Sequence, residues 1–192
     1  KHYCIDLRRI NEALEDGSAY CGAVPRLVDL FDSLAMAIKG SGDVYYAKLD
    51  ISAAFHNIQL LEEDRDFFSF YTPLGPYRPT RTPFGWKGSP AVFAHILSLA
   101  LVTALWLYCW AFLDDLLIVG STFDELLERL DFVLYRLRAY NFRLKPKKAV
   151  IAKQSVPMLG FLLCGNKIYA DPLKLESCKL WKTPTNKKET LS

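Results

Sequence analysis

Three carboxylates stand where an apolar chain has little ordinary use for them. Asp114 and Asp115 are adjacent, between Ala111-Phe112-Leu113 and Leu116-Leu117-Ile118-Val119, and Asp50 closes the strand-like run 44–50 (VYYAKLD). Apolar strands bury ionised groups only when these are paired or bind a cation. Neighbours on a straight strand point to opposite faces, so Asp114 and Asp115 share a site only at a tight hairpin turn. An ordinary Asp-Asp surface turn explains the pair on its own. Asp50 shifts the balance, because an acid ending an apolar strand looks out of the sheet toward a ligand. Three carboxylates delivered by two strands would form an anionic pocket suited to hard cations, of which Mg²⁺ is the usual phosphate partner. Two such ions can activate a hydroxyl and clamp an in-line phosphoryl displacement.

The elements that must position these acids follow from periodicity and punctuation. Residues 23–38 suggest a helix with Pro25 in its first turn and Leu27, Leu30, Phe31 and Leu34 on one face. Gly40-Ser41-Gly42 ends it. Residues 51–61 continue from Asp50 as a turn and short helix. Residues 67–71 and 77–82 read as short strands around Pro73-Leu74-Gly75-Pro76. Pro90 opens a helix expected to run through the long apolar stretch, over 91–107. Residues 110–120 read as two strands hinged at the acids. The capping box Thr122-Phe123-Asp124-Glu125 starts a helix with Leu126, Leu130, Val133, Leu134 and Leu137 on one face. Strands at 149–152, 156–163 and 167–170 finish the chain, and Tyr3-Cys4-Ile5-Asp6-Leu7 reads as an edge strand at its start. Interleaved strands and helices predict an α+β fold, a sheet with helices on one face.

Composition sets the frame. The 192 residues suffice for one domain, and 51% apolar with 23% charged residues argues against disorder. A net charge of +3 is too mild to diagnose nucleic-acid binding. Lysines do gather at Lys145, Lys147, Lys148 and Lys153, and again at Lys182, Lys187 and Lys188, which fits either a solvated face or a phosphate contact. Five scattered cysteines without a CxxC pair indicate free thiols in a reducing compartment and no structural zinc. Neither a signal peptide nor a lipidation motif is visible, and both ends read as cut from a larger protein. Residues 96–113 (ILSLALVTALWLYCWAFL) are long and apolar enough for the lower limit of a membrane span. Their aromatic residues fall inside the run rather than at its borders, so a buried helix followed by a buried strand is preferred.

Five ordered blocks carry a family resemblance across nearly the whole chain: 4–11 (CIDLRRIN), 46–51 (YAKLDI) with Ala54-Phe55-His56, 82–93 (TPFGWKGSPAVF), 112–118 (FLDDLLI), and Leu159-Gly160-Phe161 followed by Asp171-Pro172. The sequence resembles reverse transcriptases, RNA-directed DNA polymerases, of the retroviral and gypsy-type long-terminal-repeat retroelement kind. The resemblance implies a polymerase palm (46–59 and 91–170), part of the fingers (1–45 and 60–90) and the start of a thumb or connection (171–192).

Carried over by position, the resemblance makes Asp50, Asp114, Asp115 and the Ile51 carbonyl ligands of two Mg²⁺ (or Mn²⁺) ions. Phe55 matches the aromatic gate that rejects a ribose 2′-hydroxyl, with core packing as the competing explanation. Ala54, Phe84 and Lys1 match positions near the incoming dNTP. Arg8, Gly85, Trp86, Ser89 and Pro90 match template-side positions, and Leu159-Gly160 the hairpin that grips the primer. Lys148 matches the lysine that protonates the leaving pyrophosphate, with Lys145 as its rival. The implied partners are an RNA template, a DNA or RNA primer, dNTPs, and adjoining RNase H and integrase domains of one polyprotein, with no membrane. The implied setting is intracellular, in cytoplasmic virus-like particles or the nucleus. A catalytically inactive, domesticated module that binds nucleic acid or protein is the alternative reading.

Overall fold

A computed structural model describes residues 5–13, 24–40 and 42–179. Its centre is β1 (Tyr45–Asp50), paired on one side with β5 (Asp115–Gly120) and on the other with β6 (Val150–Lys153). β4 (Cys109–Phe112) completes an antiparallel sheet in the order β4-β5-β1-β6. Alternate residues of this sheet serve two separate cores, which is why its strands read as unbroken apolar runs. Ala47, Leu49, Ile51, Leu116 and Ile118 face one core. Tyr46, Trp110, Leu117 and Val119 face the other.

The first core is closed by α3 (Ser89–Ala100) and α4 (Phe123–Ala139). Leu126, Leu130, Val133 and Leu137 of α4 are buried there, whereas Leu134 lies at the margin of that stripe and remains 37% exposed. The capping signal operates in a shifted form. Thr122 Oγ1 accepts from the Glu125 backbone N–H at 3.1 Å, and the Glu125 carboxylate accepts from Ser121 N–H at 2.6 Å.

The second core, on the opposite face of the sheet, is closed by α2 (Leu27–Ile38) and a smaller sheet of β7 (Ser155–Met158), β8 (Phe161–Cys164) and β9 (Lys167–Ala170). α2 buries Leu30, Leu34 and Ile38 and leaves Leu27 at the surface, and Pro25 precedes its cap residue Arg26. Trp110 reaches across this core, where its indole N–H donates to Ser33 Oγ at 2.8 Å. The expected single strand 156–163 is divided, because Leu159 and Gly160 both adopt positive φ (51° and 86°) and close a two-residue hairpin. α5 (Pro172–Lys179) follows β9.

Three further expectations are corrected. The helix from Pro90 stops at Ala100, not 107. Leu101 and Ala104 are buried in turns, and Trp106 N–H donates to the Cys109 carbonyl at 2.9 Å before β4 begins. A run whose only polar residues are Ser98 and Thr103 has no Gly, Pro or charged stop signal, so its division into helix, turns and strand is set by tertiary packing. No helix among the described residues is long and apolar enough to cross a membrane. Residues 5–7 form no strand and lead into α1 (Arg8–Ala13), since Asp6 Oδ1 accepts from Arg8 N–H and turns the chain. The expected strands at 67–71 and 77–82 contract to β2 (Phe70–Thr72) and β3 (Gly75–Tyr77), with a 3₁₀ segment Glu62–Phe68 before them.

Gly120 ends β5 where α4 crosses it. A Cβ there would stand 2.6 Å from the Leu126 backbone nitrogen and 2.7 Å from its Cα, atoms that cannot swing aside. Gly120→Ala should lower stability by about 1–3 kcal/mol. Chemical denaturation reads this as a lower midpoint at unchanged slope, and an unshifted midpoint would refute the close packing of α4 on β5.

Candidate active site

The sheet register brings the acids together. Asp50 lies directly opposite Asp115 in the β1–β5 ladder, and the Ile51 backbone N–H donates to the Asp114 carbonyl at 2.8 Å. Phe112 pairs with Asp115, which leaves Leu113 and Asp114 as a tight two-residue turn with Leu113 at φ 51°. The hairpin needed for neighbouring acids to serve one site is therefore present. Asp50, Asp114 and Asp115 share one end of the sheet.

Residues 143–145 run alongside 50–52 and bring positive charge to that end. Ser52 N–H donates to the Arg143 carbonyl (2.6 Å), Ile51 pairs with Leu144, and Lys145 N–H donates to the Asp50 carbonyl (2.9 Å). Lys145 Nζ lies 2.5 Å from Asp50 Oδ1, and Lys148 Nζ donates to Asp50 Oδ2 at 3.0 Å. The Lys145 approach is an ion pair off the hydrogen-bonding direction, so the buried Oδ1 has no aligned donor. Lys48 Nζ lies 3.3 Å from Asp115 Oδ1 and donates to the Pro157 carbonyl of β7 at 3.3 Å. Lys48 thus joins the acid cluster to the hairpin that carries Leu159 and Gly160.

These charges set the titration of the site. Burial pushes the Asp50 carboxyl up, but the Lys145 and Lys148 ammoniums outweigh it and hold the group below its ordinary 3.8. Lys148 is raised above its ordinary value, first by its hydrogen bond to Asp50 and more weakly by Asp114 and Asp115. Among the described residues no three of His, Cys, Asp and Glu stand close enough to hold a metal ion alone. The donors still fit a hard divalent cation. Such ions use one or two carboxylates completed by phosphate oxygens and water, and Asp50 Oδ1 is a buried oxygen without an aligned donor.

The loop after Asp50 is held by a residue that sequence reading missed. Ala53 sits at φ 47°, and the Asn57 amide donates to the Ser52, Ala54 and Ala53 carbonyls at 2.8, 3.1 and 3.3 Å. Asn57 Oδ1 accepts from Arg143 N–H at 3.1 Å. Nothing local to Asn57 signals this role. Lys48 was likewise missed, although its place two residues before Asp50, on the same strand face, was a usable signal. Ala54 is buried, and the half-buried Phe55 meets Phe84 and Phe93 edge-on, with centroids 5.6 and 6.0 Å apart. Phe84 also packs on His56 at 4.5 Å. Phe55 and Phe84, expected near one nucleotide, are in contact.

The remaining positions divide between surface and framework. Asn11 clamps the turn at Gly85, donating to the Gly85 carbonyl and accepting from Lys87 N–H, both at 2.8 Å. Trp86 packs edge-on against Phe68 beside Leu7 and Leu60, and its ring covers Gly88, where a Cβ would lie 2.6 Å away. Ser89 is fully buried and donates to the Pro83 carbonyl at 3.1 Å, so it builds the helix entrance rather than a surface for template. Pro90 is half-buried beside it in the first turn of α3. Arg8 is exposed and paired with Asp6. Leu159 and Gly160 form the β7–β8 turn, and Lys1 lies outside the described residues.

A depressed Asp50 pKa contributes stability that is present above the ordinary carboxylate value and lost as pH falls through the folded one. Asp50→Asn removes that contribution. The gap between wild-type and Asp50→Asn unfolding midpoints should therefore be widest near neutrality and close as pH falls from 3.8 downward. A gap unchanged from pH 7 into that acid range would sink the lysine-paired description of Asp50.

With this geometry in view, residues 2–163 match the family model described as reverse transcriptase (RNA-dependent DNA polymerase). The chain is 32% identical over 94% of its length to the retrovirus-related Pol polyprotein from transposon 412 of Drosophila melanogaster, covering 14% of that protein. It is 27% identical over 96% of its length to the Pol polyprotein from transposon gypsy of the same fly, covering 17% of it. It is 28% identical to the Gag-Pol polyprotein of koala retrovirus, over 96% of this chain and 11% of the relative. The fold matches the foamy viral protease-reverse transcriptase solved with double-stranded DNA, with a TM-score of 0.81, 20% identity, and coverage of 98% of this chain and 31% of that one. The chain thus spans a small part of each relative, and within that part it belongs to the reverse transcriptase (RNA-dependent DNA polymerase) family.

Proposed function

We propose that this chain is the palm and partial fingers (46–59 with 91–170, and 1–45 with 60–90) of an RNA-directed DNA polymerase in a retroelement polyprotein. It adds dNTPs to a primer 3′-hydroxyl on an RNA template. The observation that carries this reading is the pairing of Asp50 with Asp115 beside the Leu113-Asp114 turn. That pairing turns three separate acids into one anionic sheet end. The same polyprotein would carry RNase H and integrase domains and act inside cytoplasmic virus-like particles.

In this reading Asp50, Asp114 and Asp115, with the Ile51 carbonyl, hold two Mg²⁺ or Mn²⁺ ions. Those ions supply charge that acidifies the primer hydroxyl and steadies the leaving pyrophosphate. The chain's own contribution is alignment and charge. Lys145 and Lys148 neutralise Asp50 until the ions arrive. Lys148, kept protonated by the acids, then has a proton at Nζ to give to the departing pyrophosphate oxygen. Phe55, braced by Phe84 and Phe93, presents a flat ring to the sugar of the incoming nucleotide. Arg8, Gly85 and Trp86 lie on the template side, and Leu159-Gly160 on the primer side.

Primer extension on an RNA template by the intact parent enzyme, with Mg²⁺ and dNTPs, tests the reading. Asp114→Asn should cut extension by on the order of 10³-fold while leaving the thermal midpoint near wild type. Full extension by this variant would remove the metal assignment, and no extension by the wild type would favour the inactive module. Phe55→Val should raise ribonucleotide incorporation relative to deoxyribonucleotide by on the order of 10²-fold. Unchanged sugar selectivity would leave Phe55 as core packing alone.

A further inference from the structure

Behind the loop that links Asp50 to Phe55 lies a second charged feature, opposite in sign to the acids. A cavity of about 1040 Å³ opens between residues 52–57, the C-terminal end of α4 and the segment 141–146. Arg81, Arg138 and Arg143 line it, and no Asp or Glu does. This is a local excess, since the whole sequence carries only +3. Arg81 donates to the Asn57 carbonyl at 3.1 Å, which leaves most of its five donors free. Among the described residues the Arg138 and Arg143 guanidiniums have no hydrogen-bond or ion-pair partner. Leu134, at the margin of the α4 stripe, and Tyr140 add apolar wall to the same cavity.

We propose that this cavity binds a free polyphosphate anion, either inorganic pyrophosphate or the phosphate tail of a nucleotide. Guanidinium forks match phosphate oxygens two at a time, and three forks around one recess call for more than one phosphate group. Gathering like charges in a concave site focuses their potential, which draws in an anion and is relieved by it. A nucleic-acid backbone is tracked by an extended basic stripe, whereas these arginines line a single recess. Its walls also belong to the acid site. Ser52 and Arg143 are hydrogen-bonded across the paired segments that carry Asp50 and Lys145. Pyrophosphate released beside the acids would therefore find an anion site on the other side of the same paired segments. The site itself rests on the arginines alone, and its link to a reaction product rests on the polymerase reading.

Isothermal titration of inorganic pyrophosphate into the intact parent enzyme, in EDTA, tests the site. Without divalent cations Lys48, Lys145 and Lys148 stay paired with the acids, so binding that the arginine variants weaken reports the cavity. Wild type and Asp114→Asn should bind alike and saturably. The Arg138→Gln/Arg143→Gln double variant should bind about tenfold more weakly or worse, since charged hydrogen bonds are lost. Leu134→Glu, which puts a carboxylate into the cavity, should also weaken binding and decides the matter if the double variant fails to fold. A primer–template duplex added beforehand should leave pyrophosphate binding intact. The proposal is overturned if wild type shows no saturable binding, if the folded variants bind like wild type, or if duplex displaces the anion, which would make the cavity a backbone track. Absence of primer extension by the wild type with pyrophosphate binding retained would sink the polymerase reading and spare this one.

Discussion

Antiparallel pairing between β1 and β5 is the constraint from which the rest of the site follows. The ladder joins Tyr45 to Gly120 at one end and Asp50 to Asp115 at the other, with no irregularity between. A slip of one residue would turn every side chain to the opposite face. Here both faces are buried, Ala47, Leu49, Leu116 and Ile118 in one core and Tyr46, Leu117 and Val119 in the other. A slip would therefore drive residues shaped for one core into the other. Packing distant from the acids thus dictates which acid faces which.

Convergence of acids creates an electrostatic difficulty that the lysines resolve. Asp50 is 8% exposed, and an ionised carboxylate at that depth is costly without a partner. Lys145 and Lys148 compensate Asp50, and Lys48 compensates Asp115. None of the three pairs is sealed from water, since the lysine side chains are 21–62% exposed. Water therefore reaches each pair, and each ammonium can swing away without opening the fold. Lys145 is also anchored through its own backbone N–H to the Asp50 carbonyl. Its ammonium can therefore move aside while its main chain stays in register.

What could be read from sequence was whatever leaves a local mark. Asp50 was legible because an acid ended an apolar strand. The hairpin at Asp114-Asp115 was legible because two apolar flanks need a turn between them, and α4 because its cap and stripe are written in consecutive residues. The end of α3 at Ala100 was not legible, since residues 96–113 are apolar on both sides of every boundary. The break at Leu159-Gly160 inside a continuous β-like run left no mark in the periodicity and was expected only from the family resemblance, as a two-residue turn can be built from Leu and Gly without a polar residue. Asn11 and Asn57 were invisible because their partners Gly85 and Arg143 are distant in the chain. The buried role of Ser89 was hidden by its type, since serine is more often at the surface.

Among the described residues, two of the six non-glycine positions at positive φ flank the acids. Ala53 and Leu113 both occupy the left-handed region, on the two segments that flank the acids, and neither is glycine. Each costs on the order of 1–2 kcal/mol relative to an ordinary conformation, so each persists only because its surroundings over-determine it. Around Ala53 that determination comes from the Asn57 amide and the Arg143 strand pairing. Around Leu113 it comes from the Phe112–Asp115 pair and the Ile51 hydrogen bond to Asp114. Glycine would fit either turn with less strain, but it would also let the turn wander among several conformations. A side chain at each position restricts the loop to the one geometry that its neighbours enforce. Asp114 is then aimed by the same hydrogen bonds that align Asp50 with Asp115, and the precision of the acid cluster derives from the ladder rather than from the turns themselves.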